Sequence, residues 1–467
     1  MMTRGKQLAE WLDIDRPMRA PLAVAAALRF ALMLAAFAMT GTQVMTQGDT
    51  SSYLEPGLNL ILHGAFATAG APELDRTPGF PTFAMFTGAI YGNVLATCAA
   101  QILLSLVSLL LIARITDRVF PNRNAGAIAA WFFAIEPLSI VSSVRVMPET
   151  LFVFLLLVVI ERVLAFQHSG RLVALATAGA VLAVATYVRP VSYYLGFALA
   201  IGVAFTAPRQ RALWWKAPVV LLLAFVPWLA LWQVRNSVET GYSGFSSIVE
   251  QNLYYFQSAE ISAEVQHISL GAEQARLGYP DEASYVAAHP EQRSWSVAQR
   301  LRFMRAQSVQ ILRAHPLLYL KSHVRGVGVV AFTPCVTELL QLVRAYPPAS
   351  TMPRRILSEG LLTSALRVMT AHPGVSIVMA ASELFLIVLY ALAIRGCSAP
   401  SRQRITALTL LLIALYFLLI SGGAQAIGRY RSPVMPELCI LAAGGLATKK
   451  RGTYPAPRIE QRQPARS

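Results

Sequence analysis

A chain of 467 residues that is 55% hydrophobic and only 14% charged, with a mean hydropathy of +0.51, is too apolar to be a soluble domain. Its net charge of +16 invites a nucleic-acid reading, but Lys and Arg gather in short loops and at the ends. No basic, aromatic-interleaved domain is present to grip a nucleic acid, so that partner is excluded.

In chain order, residues 1–21 carry Arg4 and Lys6 and read as a cytoplasmic lead-in. "AFA" at 36–38 has the look of a signal-cleavage site, yet the apolar run continues from Pro21 to about Met45, so a retained first helix over 22–45 is expected. Several runs along the chain approach the ~20 residues that cross a bilayer. Residues 46–92 form an outer loop whose apolar pieces are broken by Gly and Pro ("LHGAFATAGAPELDRTPGFP"), as in helices lying in the interface. Spans over about 93–115, 125–146, 150–167, 172–188, 191–207 and 217–234 follow, returning to the basic loops at Arg114–Arg123, Arg171 and "PRQRALWWK". Residues 22–234 thus make an N-terminal transmembrane module with the candidate chemistry.

Residues 235–372 are polar enough for an outer-face loop region, within which 326–342 reads as a partial span or an interfacial helix. Spans at about 374–394, 405–422 and 433–448 make a C-terminal part, 373–448, and 449–467 form a basic, disordered cytoplasmic tail suited to anionic lipid. The expected fold is an all-α polytopic membrane protein with about ten transmembrane helices, both termini on the cytoplasmic side. The four cysteines (Cys98, Cys335, Cys397, Cys439) lack CxxC spacing, and the seven histidines lack HExxH spacing. No metal site, disulfide framework or cofactor motif is read from them.

This topology sends one set of polar residues to the outer face: Asp49, Glu55, Asp75–Arg76, Arg145, Glu149, Arg189, Arg235 and the "GRYRSP" that holds Arg429 and Arg431. Charges at membrane depth are costly, so their gathering marks a site. Each has a plain structural alternative. Ser52 and Glu55 have capping-box spacing, although Pro56 would then occupy the fourth helical position, where an N–H is normally bonded. Arg76 has Asp75 beside it for a surface ion pair. Glu149 follows Pro148 at a helix start, where the dipole favours an acid. Arg189 and the late arginines have the option of snorkelling.

The order of short motifs adds specificity: "GDTSSYLEPGLNLILHG", "RTPGFPTFAMFTGAIYG", "SSVRVMPETLFVFLLL", "YVRPVSYYL", "WQVRNSVETGYSGFSS" and "GRYRSPVMPELCILAAGGL". Over about residues 25–448 this order resembles the GT-C glycosyltransferases, in the branch of protein O-mannosyltransferases and the bacterial enzyme that adds aminoarabinose to lipid A. The resemblance implies a polyprenyl-phosphate-sugar donor and transfer at the periplasmic face of the bacterial inner membrane. Asp49 then matches the first-loop catalytic acid, and Glu149 a second acid. Arg76 takes the R-x-P-G-[FY]-P position, with Arg145, Arg189, Arg235, Arg429 and Arg431 as further candidate ligands of the lipid phosphate. Tyr53 and Glu55 are candidate acceptor-side or loop residues. A carboxylate suits removal of the hydroxyl proton, and arginines suit the departing phosphate. A one-step displacement would invert the anomeric configuration. The acceptor is a glycan, a lipid or a protein. Two alternatives share the hydropathy: a lipid or sugar transporter, which would show paired repeats and midplane polar sites, and a polysaccharide polymerase or ligase with a late catalytic loop.

Overall fold

In the computed structural model, the described residues are 16–46, 48–121, 124–206, 213–345, 370, 373–398 and 401–447. The expected tail at 449–467, the start of the chain to residue 15 and most of 346–372 lie outside them. The described chain is almost wholly helical, as a bilayer demands of segments that must satisfy their own backbone groups.

The first helix, α1 (Arg16–Thr40), ends in a short 3-10 turn, Gln43–Thr46. The expected loop then holds α2 (Thr50–His63), a two-residue hairpin β1 (Ala67–Thr68) and β2 (Ala71–Pro72), and α3 (Gly79–Thr87). The bundle continues with α4 (Val94–Val119), α5 (Ala125–Ile135), α6 (Pro137–Val144), α7 (Glu149–Ser169), α8 (Leu172–Val188), α9 (Leu195–Thr206) and α10 (Leu213–Thr240). Four described helices, α1, α4, α10 and the later Pro373–Cys397, are by themselves long and apolar enough to cross a membrane. The pair α5–α6 is long and apolar enough only when taken together, and it is bent by 60°, the form of a broken span or a re-entrant loop. The expected single span at 125–146 is therefore two helices.

Residues 248–342 form α11 (Ile248–Asn252), a π-helical turn Leu253–Ser258, α12 (Ala259–Gln266), α13 (Leu270–Arg276), α14 (Glu282–Ala288), α15 (Val297–Ala314), α16 (Pro316–Phe332) and α17 (Val336–Leu342). Much of this part has its own aromatic core of Tyr242, Tyr254, Tyr255 and Tyr285 with Leu301 and Met304, and Leu74 from the first loop is inserted into it. The chain closes with α18 (Pro373–Cys397), α19 (Ser401–Ile420), a 3-10 stretch Gly428–Val434 and α20 (Met435–Ala447). Helix α20 is the buried axis: it packs against α18, α4 and α5, and nearly every one of its residues is inaccessible. Large apolar side chains on the outer helices, such as Leu34, Phe205, Leu223 and Ile394, stay exposed, the reverse of a soluble surface and what a lipid-facing one requires.

The break between α5 and α6 has a chemical cause. Pro137 cannot continue α5, and Glu136 turns to cap α6, its carboxylate accepting N–H bonds from Leu138 (2.9 Å) and Ser139 (2.6 Å). The carbonyls freed at the end of α5 are taken by Arg29 of α1. Its guanidinium, fully buried, donates to Ala134 O (3.1 Å), Phe133 O (3.3 Å), Ser139 Oγ (2.9 Å) and Ser105 Oγ of α4 (2.9 Å). One arginine thus joins four helices, α1, α4, α5 and α6, around a buried cap carboxylate. Arg29→Ala is expected to lower stability by about 3 kcal/mol, because it leaves freed carbonyls and the Glu136 carboxylate without their cation. Thermal unfolding in detergent, compared with Arg29→Lys as the milder change, checks this.

Candidate active site

The sequence-predicted residues meet at one end of the bundle. That end collects the C-terminal ends of α1 and α8, the N-terminal ends of α2 and α7, and the 3-10 stretch before α20. The register between the first loop and α7 is pinned by backbone: Val146 N–H bonds Met45 O (2.9 Å), and Thr50 Oγ1 donates to Val146 O (3.1 Å).

Asp49 stands at the cap position of α2 yet makes no side-chain cap bond. Its carboxylate faces arginines instead. Arg429 donates to Oδ2, and Arg76 Nη2 lies 3.8 Å from Oδ1. Burial pushes the Asp49 carboxyl up, but Arg429 above all, with Arg76 and Arg189, outweighs it and holds the group below the ordinary aspartate value. The capping box does not form. Ser52 Oγ donates to Asp49 O (2.7 Å) inside the helix, while Glu55 accepts from Ala69 N–H (3.0 Å) and so ties α2 to the hairpin. Pro56 sits within α2.

Arg76 is fixed from both sides. Its guanidinium donates to Ser52 Oγ (3.0 Å) and Tyr53 Oη (3.3 Å) and lies 4.4 Å from the centre of the Tyr53 ring. Its backbone N–H, with that of Asp75, binds Glu73 Oε1 (2.8 and 2.6 Å), and Glu73 Oε2 takes the Thr68 hydroxyl (2.5 Å). Glu73, which sequence reasoning passed over, therefore shapes the turn that presents Arg76. Burial raises its carboxyl above the usual range despite these bonds. Asp75 does not pair with Arg76. It accepts from the Ser247 hydroxyl and from Gln251 Nε2 (2.6 Å), fastening the loop to α11 and the turn before it.

The Pro-Gly after Arg76 has a steric role. A Cβ at Gly79 would meet Tyr187 C and O at 2.5 Å, so only glycine lets α3 press against the last turn of α8. Two residues on, Arg189 caps the C-terminal end of α8. Its Nη1 lies 3.3 Å from Glu149 Oε1, and its guanidinium sits 5.8 Å from both the Phe152 and Tyr430 ring centres. Glu149 itself is 3% exposed, at the first position of α7.

Asp49, Tyr53, Arg76, Glu149, Arg189 and Arg429 are thus one cluster, with Tyr430 as a residue whose part the sequence did not single out. Three guanidinium groups face two carboxylates, leaving one positive charge over. Two donors within it make no hydrogen bond: Arg429 Nε, and Arg189 Nη1, which is ion-paired to Glu149 without hydrogen-bond geometry. Buried donors without acceptors are costly, and an anion is the group that would relieve them.

The other three candidate arginines are engaged elsewhere. Arg145 bonds Glu338 Oε2 (2.7 Å), joining the end of α6 to α17. Arg235 donates to Glu73 O (2.8 Å) and Phe66 O (2.9 Å) and pairs with Glu239 (2.7 Å). Arg431, 2% exposed, donates to Val330 O (2.9 Å) and Ala331 O (2.8 Å) at the end of α16. These side chains brace the loops around the cluster and take no place inside it. Among the described residues no set of three His, Cys, Asp or Glu side chains has the geometry to hold a metal.

Residues 75–232 match the model of the dolichyl-phosphate-mannose-protein mannosyltransferase family. No curated protein matches the chain in sequence. Among solved structures, the archaeal oligosaccharyltransferase AglB from Archaeoglobus fulgidus, in complex with an inhibitory peptide and a dolichol-phosphate, is similar at 13% identity. That match covers 91% of this chain and 49% of the other, with a TM-score of 0.41, so the chain spans about half the length of that structure. The resemblance to GT-C glycosyltransferases read from the motifs is borne out by the mannosyltransferase family model over residues 75–232, the stretch that carries Arg76, Arg145, Glu149 and Arg189.

Proposed function

We propose that the protein is an integral membrane glycosyltransferase that moves a sugar from a polyprenyl-phosphate donor to an acceptor hydroxyl. The site lies at the periplasmic face of a bacterial inner membrane. The observation that carries this reading is the convergence of Arg76, Arg189 and Arg429, two of them with unpartnered donors, around the half-exposed Asp49 carboxylate. Arginine suits a phosphate because its fork of donors pairs with two oxygens at once.

In the reaction, the acceptor oxygen forms a bond to the sugar's anomeric carbon as the bond from that carbon to the phosphate oxygen breaks. The electron pair leaves with the phosphate, where the three guanidinium groups stabilise the growing charge. The hydroxyl proton passes to the Asp49 carboxylate. Attack from the face opposite the phosphate inverts the anomeric centre. Glu149, buried behind Arg189, holds that arginine toward the site. The arginine cluster is set at the mouth of the bundle, where a polyprenyl chain reaches it from the lipid while the acceptor enters from water.

Asp49→Asn should lower transfer at least about a hundredfold at unchanged protein level, the size of effect expected when a general base is removed. Mass spectrometry of lipid A, core oligosaccharide and envelope proteins from cells with and without the chain reads the product and identifies the acceptor. Product at the wild-type level from Asp49→Asn would remove the base assignment. The pH dependence follows from the arginines. A carboxylate held below its unfolded value contributes stability that is present above that unfolded value and lost as pH falls through the folded one. The difference in thermal midpoint between wild type and Asp49→Asn should therefore be constant from pH 8 to about pH 5 and shrink below about pH 4.

A further inference from the structure

Behind the cluster, on the membrane side, lies a cavity of about 20 Å³ between α4, the α5–α6 break, the start of α7 and the 3-10 stretch before α20. Only Phe133 and Val153 among its ten lining residues are apolar, and the rest are Ser, Thr or Glu. Glu149 and Glu136 both form its wall, and each is at least 97% buried. Glu149 turns only Oε1 toward Arg189. Its Oε2 is buried without a partner, and so is the Thr150 hydroxyl beside it. Glu136 accepts one N–H on each oxygen and keeps lone pairs free.

A cavity of this size with carboxylate and hydroxyl groups on its wall has room for about one water, and a buried water typically makes about three hydrogen bonds. The walls offer that set: two carboxylates to accept its protons and one hydroxyl to donate to its oxygen. A carboxylate oxygen and a hydroxyl left bare at this depth would carry the full cost of desolvation. We propose that this chamber holds an ordered water joining Glu149 and Thr150 to Glu136, so that Thr150 and Glu136 are positioning residues that set the Glu149 carboxylate against Arg189. The chamber stands on geometry alone, while its effect on transfer rests on the function proposed above. Through Glu136, the same water links the site to the helix break that Arg29 holds.

The test has a structural and a functional arm. An experimental structure of the full chain in lipid nanodiscs, at a resolution that shows water, should contain density between Glu149, Thr150 and Glu136. Thr150→Val keeps the shape and removes the hydroxyl. It should lower the transfer product per protein about tenfold, as expected for loss of a hydrogen bond to a buried charged network. Thr150→Ser should restore transfer, and binding of undecaprenyl phosphate to the purified chain should weaken in Thr150→Val and recover in Thr150→Ser. If Thr150→Val does not accumulate, Thr150→Ala is read in its place. A dry chamber in the wild type overturns the proposal, and so does wild-type transfer by the Val variant with Asp49→Asn inactive. Full activity of Asp49→Asn with water present would overturn the catalytic reading and leave the chamber standing.

Discussion

The interaction on which the rest of the structure depends is the grip of Arg29 on the broken span. A helix interrupted at a proline inside a bilayer leaves carbonyls that no water reaches, each costing several kcal/mol if left bare. Arg29 takes the carbonyls of Phe133 and Ala134 and the hydroxyls of Ser105 and Ser139, while Glu136 takes the first N–H groups of α6. The break becomes a fixed 60° corner. The corner aims α6 so that the chain after it passes Met45 and begins α7 with Glu149 next to the first loop. A straight helix over 125–146 would give that stretch no such direction. The site at the end of the bundle therefore inherits its geometry from a polar knot within the bundle.

Arginine has two kinds of work here, and position along the chain does not separate them. Arg145, Arg235 and Arg431 spend their donors on carboxylates and carbonyls of neighbouring loops. Arg189 and Arg429 keep donors in reserve. The difference is one of surroundings. Arg431 points at the open C-terminal end of α16, whose last carbonyls need donors, whereas Arg429, two residues earlier, points at Asp49. In a 3-10 stretch, residues two apart face different sides, so one short motif supplies both a brace and a site residue.

Much of this was legible in the residues. The span at 172–188 coincides with α8, and the Gly- and Pro-broken loop does contain short helices. The grouping of Asp49, Arg76, Glu149, Arg189 and Arg429 at one end followed from counting spans and their basic loops. Four things were not legible. The Glu-Pro at 136–137 was visible, but hydropathy averages over it, so two helices read as one. Arg29 lay inside an apolar window where a single charge hardly changes the mean. Which arginines face Asp49 depends on packing between segments 380 residues apart, and spacing carries no information on that. Glu73 was hidden for a similar reason, since its part lies in backbone bonds within a turn.

The pairing of Arg429 with Asp49 has a consequence for the empty site. Arg429 holds the Asp49 carboxylate subdued while its own Nε and one net positive charge of the cluster stay uncommitted. On the function proposed above, a donor phosphate would compete with Asp49 for the same guanidinium. Each step by which the anion wins that competition returns basicity to Asp49, since the cation that held its proton affinity down is now shared. Capture of the anion and arming of the base are then one thermodynamic event, coupled in both directions.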